Sequence, residues 1–351
     1  MVRIKGMADA IFRPNRRTLL AGLGTVLLNP APARPAEDPP PLTLRAQVSS
    51  LALRPGKPDT AVLSLGGANL AFRRGDRARI AFSNELSTPM ALVWRGIDGD
   101  SAIEPLLARA PKARGASDSF ELSLSHAGTK LCDLGLLGDG AARPVRALPL
   151  IVAESEPVPV DRDEVLLIEG WRLKADGTAV APGLDPAGTQ AVYTVNGELS
   201  REVRIRRGER LRIRLINGLQ RNVVAIKIER YQPLVMALDG QPAEPFLARN
   251  GALLLAPGGR ADVFVDAPRE AGDASILLHD GEAALPIARL VISDEPPVRK
   301  DALAPAAALP SNGLPDGLEL KGAQRVDLAF ESSETSWMRP NVFAATTVGL
   351  G

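Results

Sequence analysis

Imidazole and thiol are nearly absent from this chain. Its 351 residues include two histidines, His126 and His279, and one cysteine, Cys132. A single cysteine excludes a disulfide within the chain, and two histidines leave little imidazole for a transition-metal centre. Aromatic residues make up 4%, so any core has to be built from Leu, Val, Ile and Ala. The charges almost cancel, with 42 Lys and Arg against 41 Asp and Glu. Without net charge there is no overall field to draw in nucleic acid or an anionic lipid surface. No apolar run is long enough to span a bilayer as a helix. No Ser-His-Asp pattern, phosphate loop or dinucleotide fingerprint stands out.

Punctuation, by contrast, is plentiful: 32 glycines and 30 prolines divide the chain into short segments. Ala61 to Leu65, Ser119 to Leu124, Leu148 to Val152, Val165 to Ile168, Val223 to Ile228, Ala261 to Val265 and Ala288 to Ile292 are apolar-rich and strand-sized. Turn signals recur between them at short intervals, the pattern of an antiparallel sandwich, and no long amphipathic helix is evident. At roughly 150 residues per domain the length predicts two domains.

Residues 1–36 read as an address. Arg16 and Arg17 precede an apolar run from Leu19 to Leu28, and Ala31, Ala33 and Ala36 offer small-residue cleavage positions. This order is that of a twin-arginine export signal, which predicts a periplasmic protein with no transmembrane segment in its mature form.

An internal repeat organises the remainder. Phe72 to Leu86 reads FRRGDRARIAFSNEL and Ile205 to Leu219 reads IRRGERLRIRLINGL. In each copy an Arg-Arg-Gly-acid turn leads into a stretch of period-two alternation, which predicts a strand with one buried and one wet face. Ala78, Ile80 and Phe82 in the first copy, and Leu211, Ile213 and Leu215 in the second, are the predicted core positions. The arginines between them are expected to form a solvated face, since no aromatics are interleaved for base stacking. Two tandem domains of one kind are the simplest account.

Several stretches, taken in order, resemble the multicopper oxidases of the bacterial three-cupredoxin type. They are Arg74-Gly75-Asp76 with Asn84-Glu85-Leu86, Leu92-Val93-Trp94-Arg95-Gly96, Ala127-Gly128-Thr129, Val195-Asn196-Gly197 and Arg212 to Asn217. Ser119-Phe120, Leu150-Ile151-Val152, Ala237-Leu238-Asp239-Gly240-Gln241-Pro242 and Ala256-Pro257-Gly258-Gly259-Arg260-Ala261-Asp262 complete the set. The resemblance implies an all-β chain of two tandem cupredoxin-like Greek-key β-sandwiches. It divides the chain into the signal (1–36), a first domain (37–154), a second (155–294) and a linker rich in Pro and Ala (295–351). The last segment carries a strand-like stretch, Gln324 to Phe330, where the family's third domain would begin.

The same resemblance implies copper and oxidoreductase activity, and here the chain departs from it. Where the family carries pairs of copper-binding histidines, the aligned residues are Val93 and Arg95, then Asp133 and Gly135. Valine and glycine offer no ligand atom, and a guanidinium repels a cation. His126 and Cys132 remain as leftover candidates at a spacing that matches no standard site. The expectation is therefore an exported protein without cofactor and without catalytic residues, with a binding or structural role on a cupredoxin scaffold and room for an unknown periplasmic protein as partner. The alternatives are a truncated or decayed oxidase and a subunit completed by another chain.

Overall fold

The computed structural model describes residues 41–323, apart from residues 68–69, 98–108, 137–142, 183, 269, 271, 300, 302, 315–316 and 318–320. The export signal and the strand-like stretch Gln324 to Phe330 lie outside the described residues.

Nine strands form the first half: β1 (Leu42–Leu51), β2 (Thr60–Gly66), β3 (Leu70–Arg73), β4 (Arg77–Asn84), β5 (Met90–Arg95), β6 (Ser117–Ser123), β7 (Gly128–Leu136), β8 (Val145–Arg146) and β9 (Leu148–Ala153). They build a five-stranded sheet, ordered β6-β4-β1-β2-β8, and a four-stranded one, β3-β9-β7-β5. Leu44, Ile80, Phe82, Leu122, Leu134 and Leu150 belong to the core of this half.

Eleven strands form the second: β10 (Arg162–Leu173), β11 (Gln190–Val195), β12 (Arg201–Ile205), β13 (Arg210–Asn217), β14 (Val224–Ile228), β15 (Leu234–Leu238), β16 (Gln241–Leu247), β17 (Ala252–Leu255), β18 (Arg260–Asp266), β19 (Ala274–His279) and β20 (Ala284–Ile292). Their sheets run β11-β10-β13-β18-β15-β16 and β12-β20-β19-β14-β17. Ile168, Leu211, Ile213, Leu215, Ile226, Val263, Ile276 and Leu290 belong to the second core. Among the described residues the one helical element that can be bounded is a short 3-10 turn at Arg249–Gly251.

The repeat in sequence is a repeat in topology. Strand β4 runs parallel to β1, and its counterpart β13 runs parallel to β10. Strand β3 runs parallel to β9, as β12 does to β20. The motif residues explain why both copies fold alike. Asp76 accepts the Arg73 N–H at 2.7 Å, and Glu209 accepts the Arg206 N–H at 2.6 Å. Each acid thus closes a turn through a glycine at positive φ, Gly75 at 93° and Gly208 at 74°, where a side chain would be strained. At the far end of each strand a fully buried asparagine anchors the chain. Asn84 donates to Thr88 O and Lys112 O and accepts from Leu86 N–H. Asn217 donates to Asn222 O and Leu255 O and accepts from Leu219 N–H.

The solvated arginine face holds for one copy only. Arg77 and Arg79 are exposed, whereas Arg210, Arg212 and Arg214 are buried. All eight residues of β13 are buried. The outer face of this strand is covered by acidic partners and by elements of the first sandwich, so its alternation separates two kinds of interior.

Candidate functional site

The four positions that the resemblance assigns to metal ligands meet on one face of the β5–β7 pair. In the antiparallel register Val93 stands opposite Asp133, Ala91 opposite Gly135 and Arg95 opposite Leu131. Alternation sends Trp94 and Cys132 to the other face, into the core. There Trp94 packs edge-on to Phe120, with ring centroids 6.3 Å apart, and Cys132 is fully buried. Burial, with the nearby Asp133 carboxylate, pushes the Cys132 thiol well above its ordinary pKa, so it stays protonated and unreactive.

His126 lies in the connection between β6 and β7, and His279 is exposed at the end of β19. The His279 Nδ1 accepts the Gly281 N–H at 3.0 Å, a turn contact within the second half. Cys132 and Asp133, adjacent in sequence, point to opposite faces of β7. Among the described residues no three His, Cys, Asp or Glu side chains gather closely enough to hold a metal ion.

The β5–β7 face is packed as a set. A Cβ at Gly135 would stand 3.0 Å from Val93 Cγ2, so Val93 already occupies the space over the glycine. A Cβ at Gly258, in the turn before β18, would stand 2.6 Å from Arg95 Cδ. The stem of Arg95 therefore lies against the second sandwich. Burial raises the Asp133 pKa, and the Leu134 N–H and the Arg95 charge work against that rise. This donor set does not fit copper: two of the four positions have no ligand atom, and a guanidinium stands beside the carboxyl group.

A second cluster lies where the two sandwiches meet. Asp262 on β18 is 1% exposed. It accepts from Thr129 Oγ1 on β7 at 2.6 Å, from Arg212 Nη2 at 2.6 Å and from Arg214 Nη1 at 3.0 Å. Glu154 holds Arg212 at 2.8 Å, and Asp163 holds Arg214 at 2.6 Å. Burial opposes the ionisation of Asp262, but Arg214 and Arg212 outweigh it and hold the carboxyl below the usual range. Arg260 reaches from β18 to the Thr129 carbonyl at 3.0 Å and caps Gly258 O and Asp239 O.

Backbones touch at the same place. A Cβ at Gly128 would lie 2.5 Å from Gly240 O, and one at Gly240 would lie 2.7 Å from Thr129 O. Further along the junction, Arg146 on β8 forms a two-pronged pair with buried Glu169 on β10, at 2.6 and 3.2 Å. Leu131 and Ala147 pack there with Leu167 and Ile216.

In the sequence Thr129, Asp239, Gly240, Arg260 and Asp262 stand out only as residues of the matched motifs, with no role attached. Their signal was available: they fall in three separate matched stretches that all converge on this junction. The cluster has no nucleophile paired with a base; its arginines and carboxylates neutralise one another, and the arrangement fastens.

No protein-family model matches the chain. Among curated proteins it is 26% identical over 298 residues to the multicopper oxidase MmcO of Mycobacterium tuberculosis, covering 72% of this chain and 56% of that protein. It is 24% identical over 237 residues to Laccase-3 of Oryza sativa subsp. japonica, covering 57% of this chain and 39% of the relative. The chain thus spans less than two thirds of the length of either. A multi-copper oxidase from Pseudomonas thermotolerans matches in structure with a TM-score of 0.66 at 26% identity, over 81% of this chain and 70% of that one. Lac15, from a marine microbial metagenome, matches with a TM-score of 0.67 at 26% identity, over 80% and 73%.

Proposed function

We propose that this chain, a relative of the multicopper oxidases, is an exported protein that uses the cupredoxin scaffold without copper, for a binding or structural role. The observation that carries this reading is the β5–β7 face. Its four aligned positions are filled by Val93, Arg95, Asp133 and Gly135, and they pack against one another and against Gly258. A side chain added at 135 would press on Val93, and the Arg95 stem lies over Gly258. The chemistry of these four positions, two without a ligand atom and one a guanidinium, supports a scaffold that works without copper.

The test is metal analysis of protein purified from copper-supplemented cells, alongside a phenol-oxidation assay. The expected result is no stoichiometric copper and no oxidation above background. About one or more tightly held copper ions per chain, with a copper–thiolate charge-transfer band, would overturn the reading.

Export rests on the order of Arg16-Arg17, the apolar run and the small-residue positions up to Ala36. Replacing Arg16 and Arg17 by Lys should leave the precursor in the cytoplasm. Unchanged delivery to the periplasm would rule out the twin-arginine route. Among the described residues no helix is long and apolar enough to cross a membrane.

A further inference from the structure

We propose that residues 303–313 are a releasable strap that latches the rim of the junction between the two sandwiches. None of the described residues in this segment belongs to a strand, so its hold comes from side-chain anchors. Leu309, 6% exposed, sits in an apolar pocket with Met236, Ala237 and Phe264 of the second sandwich. Arg210 donates to Ala304 O at 2.8 Å.

Three residues beyond Leu309, Asn312 is 4% exposed and bridges both halves. Its Oδ1 accepts the Ala127 N–H at 2.9 Å, and its Nδ2 donates to Ala127 O at 3.1 Å in the first sandwich. The same Nδ2 donates to Gln241 Oε1 at 2.8 Å and contacts Gly240 O at 3.4 Å in the second. Arg74, from the turn of the first repeat, closes over the strap by donating to Ser311 O at 2.8 Å and Asn312 O at 3.1 Å.

Peeling this segment away breaks no strand pairing. It costs a few buried hydrogen bonds and one leucine, whereas separating β13 from β18 requires dismantling a sheet. Elements held in this way open at lower free energy than core strands. Release would uncover Met236 and Phe264 and leave the Ala127 N–H without its partner. Sequence composition alone reads the stretch as an open linker rich in Pro and Ala, because its few anchors are separated by exposed residues.

Native-state hydrogen exchange on the full chain tests the latch. The Ala127 amide is expected to exchange through an opening well below global unfolding, distinct from the amides of β13 and β18. In Asn312→Ala its exchange should accelerate about tenfold or more, the scale of a lost buried hydrogen bond, and proteolysis within 303–313 should accelerate with it. Asn312→Asp keeps the acceptor and should fall between. Should Asn312→Ala fail to fold, Arg74→Ala loosens the strap from outside and should raise the same two rates. The latch is overturned if Ala127 exchanges only with global unfolding, or if whichever variant folds leaves both rates within about twofold of the parent.

Discussion

Two buried asparagines, one per sandwich, anchor the far ends of the repeated strands. Asn84 and Asn217 are fully buried, and each spends its amide on two carbonyls and a backbone N–H beyond its strand. Alanine at either site removes three hydrogen bonds that tie the strand end to the backbone around it, at a cost of about 2–3 kcal/mol. Asn84→Ala and Asn217→Ala should therefore each lower the midpoint of urea unfolding by a similar amount, since the geometry is the same in both copies. A loss confined to one of them would show that the repeat is not equivalent in energy. The Asn-x-Leu register was visible in the sequence as a repeat. That the asparagine, rather than the leucine, anchors it was not, because hydrogen bonds to carbonyls 4 to 38 residues away leave no periodic trace.

Strand β13 is the element at which pattern reading reached its limit. Alternation correctly assigned Leu211, Ile213 and Leu215 to the core, but it also assigned Arg210, Arg212 and Arg214 to solvent. Period two reports that the two faces of a strand differ; it does not report whether water or another domain lies on the polar side. Here Asp262, Glu154, Asp163 and Thr129 lie there. Asp262→Asn would leave Arg212 and Arg214 with one carboxylate each, Glu154 and Asp163, and remove the buried charge they share; it should cost about 1.5–3 kcal/mol, the scale of a hydrogen bond to a charged group. The pH dependence has a definite sign. Asp262 titrates below its unfolded value of about 3.9, so its contribution is complete above about pH 4 and is lost as the pH falls through the folded value. Glu169 runs the other way: burial raises its pKa against the pull of Arg146, so its ionisation costs stability as the pH rises past its unfolded value of about 4.3. Chemical denaturation from about pH 7 down to about pH 2 should show stability falling below about pH 4 in the parent protein. The loss should be shallower in Asp262→Asn; an unchanged slope would remove Asp262 from the account.

Across the whole molecule the sequence showed duplication plainly and cohesion hardly at all. Core residues lie near one another along each strand, whereas the junction joins Thr129 to Asp262 and Ala127 to Asn312 across long separations. Only the order of matched motifs hinted that these residues belong together. With salt bridges, apolar contacts and backbone contact all spanning the junction, the two sandwiches should unfold as one unit. Calorimetry should give a single transition with matching calorimetric and van't Hoff enthalpies, and two resolved transitions would refute this. The facing glycines 128 and 240 also bear on how such a gene can drift. A lineage needing only two tethered sandwiches could tolerate many residues at either site. One needing their main chains in contact tolerates no side chain at all, because both sites combine positive φ with a carbonyl under 3 Å from any added Cβ. In a library of every single substitution, these two positions should stand out as empty columns, even though neither takes part in any chemistry.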